Sequence, residues 1–448
     1  MLRFLFQSVF GLLVLAACQP SPPGTPAARD LPRGRPGDPD TAAIRRDVEH
    51  LASAALEGRG TGTPGNDSAA AYIARRFESL RLSAVSNGCS RPVDVLEVRC
   101  DRKYFQPFIA RSAAAAHLGL PSELPSQNVV AVLRGSDPAL AGEYIVLGAH
   151  FDHLGRSAGS ALDPDSSDAI RNGADDNASG TAAVMELARL LARDPPRRSI
   201  VFVTFSGEEL GLLGSQRFVT QSPIPLDRIV AMLNFDMVGR LRNDRLIVYG
   251  VETAAEMRAI VDSVAVGTGL AIRGVGDGFG PSDHSSFYTR GVPVLHFFTD
   301  LHEDYHRATD DADKVSAAGI GRVITLAERV VRAIADRDAR LTPVRVSRPG
   351  PVATMGRSRE VYLGSIPDMS ASDSPGVRLT GVRADSPAER AGLKAGDVIV
   401  EFDGKTVKDL YEYTDALNAK RPGDTVTIVV LREGARMTLT ATLGRRGG

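Results

Sequence analysis

Five apolar runs constrain this chain more than any other feature: "NVVAVL" (128–133), "EYIVLGA" (143–149), "SIVFVTF" (199–205), "RIVAMLNF" (228–235) and "PVLHFF" (293–298). Their apolar residues are continuous rather than alternating with polar ones, so each reads as a strand buried on both faces. Helical periodicity separates several of them, in "SGTAAVMELARLLARD" (179–194) and from Val315 to Asp336. Such strands, alternating with amphipathic helices, give an α/β fold whose mostly parallel mixed sheet carries helices on both faces. Upstream, "DSAAAYIARRFESLRL" (67–82) puts Tyr72, Ile73, Phe77 and Leu80 on one helical stripe, with Asp67 expected as the N-cap. The first two apolar runs, joined by a short Gly/Asp/Pro loop, are expected to pair as an antiparallel hairpin at one edge.

At 448 residues the chain is too long for one ordinary core. The pattern changes after Leu341: "TPVRVSRPGPVATMGRSRE" (342–360) has no periodicity, and beyond it come short strands, Gly-Asp turns and one helix near Leu410–Lys420. A first domain over residues 41–341, a linker over 342–358 and a small β-rich domain over 359–448 are therefore expected. The net charge of −1 leaves no electrostatic footprint for a nucleic acid or an anionic membrane surface.

The N-terminus, "MLRFLFQSVFGLLVLAAC", has one positive charge, a short apolar run and small residues, which is the layout of a secretory signal. Ending in "LAAC", it resembles a bacterial lipoprotein signal over residues 1–17. That resemblance implies lipidation at Cys18 and anchoring at the envelope, at the outer membrane facing the periplasm. The Pro/Gly-rich stretch that follows, residues 18–40, reads as a flexible tether. Cys89 and Cys100, eleven residues apart in an exported chain, are either a disulfide closing a small loop or two free thiols.

The strong strands all run into polar motifs. "IVLGA" leads into His150-Phe151-Asp152-His153, "VFVTF" into Ser206-Gly207-Glu208-Glu209, and "AMLNF" into Asp236; between the first two lies "NGADDNASG" (172–180) with Asp175 and Asp176. Ligands of open α/β sheets bind at the carboxyl ends of the strands, so these groups should converge on one crevice. Several carboxylates crowded there cannot all stay ionised without a cation. Histidine and carboxylate donors without cysteine suit zinc, cobalt or manganese, and a bridging carboxylate would hold two ions.

The segments "LEGRGTGTPGN" (56–66), "GAHFDHLG" (148–155), "NGADDNASG", "FSGEELGLLGS" (205–215), "NFDMVGR" (234–240), "SDHSSF" (282–287) and "YHRATDD" (305–311) together resemble the M28 family of di-zinc aminopeptidases, over roughly residues 42–337. The resemblance implies two zinc ions, with cobalt or manganese as substitutes. His150 and Asp236 would hold one, Glu209 and His306 the other, and Asp176 would bridge both. Asp152 would orient His150, the Asp176–Asn177 bond would be cis, and Glu208 would be the general base. His302 is an alternative to His306; His153 is read as packing or hydrogen-bonding, not as a ligand. Asp283 and His284 are assigned to the substrate cleft, with a structural loop role as the alternative.

At the C-terminus, "EVYLGSI" (360–366), "SPAERAGLKAGDVI" (386–399) and "KRPGDTVTIVVLREGARMTLTATL" (420–443) resemble a bacterial PDZ domain. Tyr362, Leu363, Gly364 and Ser365 would form the loop that holds a peptide's terminal carboxylate. The expected function is an exported aminopeptidase acting on peptides, with a module for protein C-termini and no nucleic-acid partner. The competing readings are a glutaminyl cyclase, a carboxypeptidase or dipeptidase of the same type, and a non-catalytic peptide-binding lipoprotein.

Overall fold

All five apolar runs are strands in the computed structural model of the chain, which describes residues 37–85, 104–111, 121, 123–156, 161–163, 169–345, 361–367, 376–382, 386–408 and 410–445. The signal segment, Cys18, Cys89, Cys100, most of the tether and most of the linker lie outside the described residues.

The first sheet comprises β1 (Ser83–Ala84), β2 (Phe105–Arg111), β3 (Glu123–Leu133), β4 (Tyr144–His150), β5 (Ser199–Phe205), β6 (Ile229–Phe235), β7 (Arg245–Tyr249), β8 (Ala271–Val275) and β9 (Val294–Phe298). Their order is β1-β3-β5-β4-β6-β9-β7-β8, with β2 paired to β3. The central strands β5, β4, β6 and β9 are mutually parallel, and antiparallel pairs flank them. The expected edge hairpin does not form: β3 pairs with β5, and β4 lies on the other side of β5, between it and β6. Burial explains the correction. Every residue of β4 after Tyr144 is buried, and a strand buried on both faces belongs in a sheet's interior.

Side chains alternate between two cores, as the strand's period of two requires. Ile145, Leu147, Ile200 and Phe202 face one core, built with helices α1 (Thr41–Leu51), α2 (Pro64–Ser79), α3 (Gly180–Arg193), α5 (Met257–Ala265) and α7 (Ala317–Ala335). Val146, Val201 and Val203 face the other, closed by α4 (Leu213–Thr220) and α6 (His284–Tyr288). Ile73 and Phe77 are the fully buried members of the expected stripe on α2. Asp67 is not its N-cap. Thr63 caps the helix by accepting from Asn66 N–H, Pro64 opens it, and Asp67 accepts from Gln127 Nε2 at 2.6 Å.

The C-terminal region has a separate sheet: β11 (Ser365–Pro367), β12 (Val377–Val382), β13 (Val398–Phe402), β15 (Thr425–Arg432) and β16 (Ala435–Thr442) in that order, with β14 (Lys405–Thr406) on β13. β10 (Val361–Tyr362) pairs with β17 (Gly444–Arg445), and two helices, α8 (Pro387–Arg390) and α9 (Leu410–Asn418), complete it. Leu379, Ile399, Phe402, Tyr413 and Ile428 form its own apolar core. No helix among the described residues is long and apolar enough to cross a membrane.

Candidate metal centre

Because the central strands are parallel, their carboxyl ends deliver His150, Glu208, Glu209 and Asp236 to one edge of the sheet. His150, the last residue of β4, is 1% exposed, and its Nε2 lies 3.3 Å from both Asp176 Oδ1 and Asp236 Oδ1. The other oxygen of Asp176, Oδ2, lies 3.2 Å from His306 Nε2, which is 3.4 Å from Glu209 Oε2. One carboxylate is thus shared between two clusters of donors. His302 stands outside them, with Nε2 3.1 Å from Asp175 Oδ2.

Asp176 is placed by a wide turn, Ala174–Ser179, that enters α3 and contains a cis bond between Asp176 and Asn177. Asp310 Oδ2 accepts from the Asp175 N–H (2.9 Å) and the Asp176 N–H (3.1 Å). Asn177 donates to Phe235 O and accepts from Gly180 N–H and Met237 N–H, tying the turn to the end of β6. Two glycines make this possible. A Cβ on Gly173, at φ +57°, would lie 2.1 Å from Asp176 O, and one on Gly180 would lie 2.2 Å from Phe235 O.

Beneath the turn, fully buried Arg59 donates to the carbonyls of Phe151 (2.7 Å), Asn172 (2.7 Å), Gly173 (2.9 Å) and Leu51. It clamps the segment after β4 to the segment before Asp176. Burial lowers its pKa to about 10, against the pull of Asp152 and Asp176. In the sequence Arg59 is only part of a motif, and Asp310 carries no role. Their partners lie up to 135 residues away, so local pattern carries no signal of the bonds.

Asp152 is the residue that meets His150 Nδ1, chiefly through its backbone. His150 Nδ1 is 3.1 Å from the Asp152 backbone carbonyl and 3.9 Å from its carboxylate. The carboxylate accepts instead from Thr61 Oγ1 (2.7 Å) and from the Glu208 N–H (3.2 Å), anchoring the loop that carries the glutamates. Asp283 and His284 are fully buried, and the His284 ring stacks on His296 at 4.3 Å. Both are as buried as His150 and Asp176 themselves. Burial raises Asp283 to about 7, opposed by His150 and reinforced by Asp152 and Asp236.

The two adjacent glutamates are driven in opposite directions. Burial pushes Glu208 well above the glutamate range; His150 opposes this, while Glu209 and Asp283 add to it. For Glu209, burial is outweighed by His306 and His153, which hold it below that range. His306 is lifted to about 10 because Glu209 and Asp176 overcome its desolvation, and Asp236 and Glu208 likewise raise buried His150. The field that favours a proton on both rings would equally hold a cation.

Donor geometry fits such cations. Ligand atoms of His150, Asp176 and Asp236 lie within 4.8 Å of one another, as do those of His153, Asp176 and Glu209. Imidazole and carboxylate donors without sulfur, buried and with excess negative charge, suit zinc or a similar divalent ion.

Residues 128–331 match the model of peptidase family M28, and residues 358–443 match a PDZ domain. Aminopeptidase YwaD of Bacillus subtilis (strain 168) is 31% identical over 154 residues, which cover 32% of this chain and 34% of that protein. The chain spans 22–38% of the length of the curated relatives it matches. Among solved structures, a Zn-dependent exopeptidase from Parabacteroides distasonis ATCC 8503 aligns with a TM-score of 0.54 at 17% identity, covering 66% of this chain and 99% of that one. The glutaminyl cyclase of Porphyromonas gingivalis aligns with a TM-score of 0.53 at 17% identity, again over 66% and 99%. At such identity the two speak to fold alone; the family models lie one on each part of the chain, that of peptidase family M28 over residues 128–331 and that of a PDZ domain over residues 358–443.

Proposed function

We propose that this protein is a zinc-dependent aminopeptidase that binds two ions. The observation that carries the reading is the sharing of Asp176: one oxygen faces His150 and Asp236, the other His306 and Glu209. His150, Asp236 and Asp176 would hold one ion, and Glu209, His306 and Asp176 the other. When bound, such ions supply Lewis-acid polarisation to the scissile carbonyl and the attacking water.

Glu208 is the group left to move protons. It is buried and does not belong to either donor cluster, and burial raises its pKa, which suits a group that takes a proton and returns it to the leaving amine. Its backbone, held by Asp152, fixes where that carboxylate stands. Purified protein should contain zinc and hydrolyse aminoacyl arylamides, lose activity to a chelator and regain it with zinc or cobalt. Protein without zinc that gains no activity from added metal would end the reading. Cyclisation of an N-terminal glutamine, assayed beside it, separates the alternative raised by the glutaminyl cyclase likeness.

Export and lipid anchoring through Cys18 belong to the same proposal, supported by the "LAAC" segment. So does capture of peptide C-termini by the loop Tyr362–Ser365. Among the described residues β11 is an edge strand, so an extended peptide could add beside it. Gly364, at φ +87°, packs against Ser386, where a Cβ would come within 2.2 Å.

A further inference from the structure

We propose that His153 is a positioning residue that fixes Glu209 as a one-oxygen ligand of the second cation. The inference rests on the reading that Asp176, Glu209 and His306 hold that cation.

His153 is 1% exposed and follows Asp152 in the segment after β4. Its ring lies so close to Gly173 that a Cβ there would meet His153 Cγ at 2.4 Å, and it stands edge-on to the His306 ring at 5.7 Å. Nδ1 is 2.9 Å from Glu209 Oε1 but 3.7 Å from Asp176 Oδ2. Glu209 Oε2 faces His306 instead, at 3.4 Å. The two oxygens of Glu209 are therefore divided between two imidazoles.

Distances separate a ligand from a hydrogen-bond donor. Atoms bound tetrahedrally to one zinc at about 2.0–2.1 Å stand about 3.3 Å apart. The His150–Asp176, His150–Asp236, His306–Asp176 and His306–Glu209 separations, 3.2–3.4 Å, have that spacing. His153 to Glu209, at 2.9 Å, has the length of an N–H···O hydrogen bond. His153 Nδ1–H thus donates to Oε1, and buried Nε2 has no hydrogen-bond partner among the described residues. With Oε1 occupied, Glu209 presents Oε2 alone, in one orientation, to the second site.

The test titrates cations into metal-free full-length wild type, His153→Ala and His153→Asn, reading metal content and cobalt absorption as well as arylamide hydrolysis. The Asn amide keeps an N–H near the place of Nδ1. His153→Ala should bind one of the two ions about 10–100-fold more weakly, with the other unchanged, and His153→Asn should recover most of that loss. Equal losses in both variants, with a changed cobalt spectrum, would make His153 a ligand and overturn the proposal; unchanged affinity in both would also overturn it. If His153→Ala does not fold, His153→Leu keeps the volume without the donor and reads the same quantity. Failure of wild type to bind any ion would instead remove the metal reading beneath the proposal.

Discussion

At Glu208 and Glu209, neighbouring residues of one type have different electrostatic surroundings. Glu209 meets His153 and His306, which stabilise its charge, whereas Glu208 is buried among Glu209 and Asp283, which disfavour a second charge. Glu208→Gln should keep both ions by elemental analysis while turnover falls about 10²–10⁴-fold, because only proton transfer is lost. Glu209→Gln should weaken one ion's binding. Equal metal loss in the two variants would reverse the assignment. Because a base must be unprotonated to act and burial raises Glu208, activity should fall with decreasing pH through a value above the usual 4.5 for glutamate. A pH profile of kcat/KM with its acid limb at or below 4.5 would contradict that placement.

At the scale of elements, the turn Ala174–Ser179 depends on a side chain from a distant loop. Asp310 supplies one oxygen to two backbone N–H groups, and its other oxygen is 3.6 Å from Arg240. Removing that acceptor leaves two buried donors unsatisfied. Asp310→Ala should therefore cost about 2–5 kcal/mol in urea unfolding of metal-free protein, and Asp310→Asn, which keeps an acceptor oxygen, clearly less. A loss under 1 kcal/mol for Asp310→Ala would mean that water or another group satisfies the turn. The strands around this turn were legible from their apolar runs, and β5 has the bounds its sequence suggested. Their pairing was not, because an apolar run specifies burial on both faces but not which neighbour supplies its hydrogen bonds. Likewise, both Thr63 and Asp67 are residue types that cap helices, and only the backbone turn at Pro64 selects Thr63.

For the molecule as a whole, the two sheets have separate apolar cores, so each has its own stability. In the C-terminal one, Arg432 grips fully buried Asp397 with two bonds of 2.7 and 2.8 Å, and the Lys394 N–H adds a third. Burial opposes the Asp397 charge, but these donors outweigh it and lower its pKa below 3.8. A depressed carboxyl contributes stability above its unfolded value and loses it as pH falls through the folded one. The contribution should thus be constant from neutral pH to about 4 and disappear below that. Arg432→Met should cost this region about 2 kcal/mol at pH 7 and remove the pair's share of its acid sensitivity, measured by denaturant unfolding at pH 7 and pH 3. An unfolding midpoint at pH 7 equal to wild type would contradict it.

By itself the sequence determined the fold class, the donor types and the cluster of polar motifs after apolar strands, because burial and periodicity are local properties written in adjacent residues. It also singled out His150, Asp176, Glu209, Asp236 and His306 as a candidate set, through motifs that resemble those of a known family. Tertiary structure alone decided the strand order and the division of Glu209 between His153 and His306. It also put the Asp152 carboxylate on Thr61 and the Glu208 backbone, and Arg59 and Asp310 beneath the site. These are interactions between segments far apart in the chain. Their geometry exists only after the parallel strands have brought their carboxyl ends together.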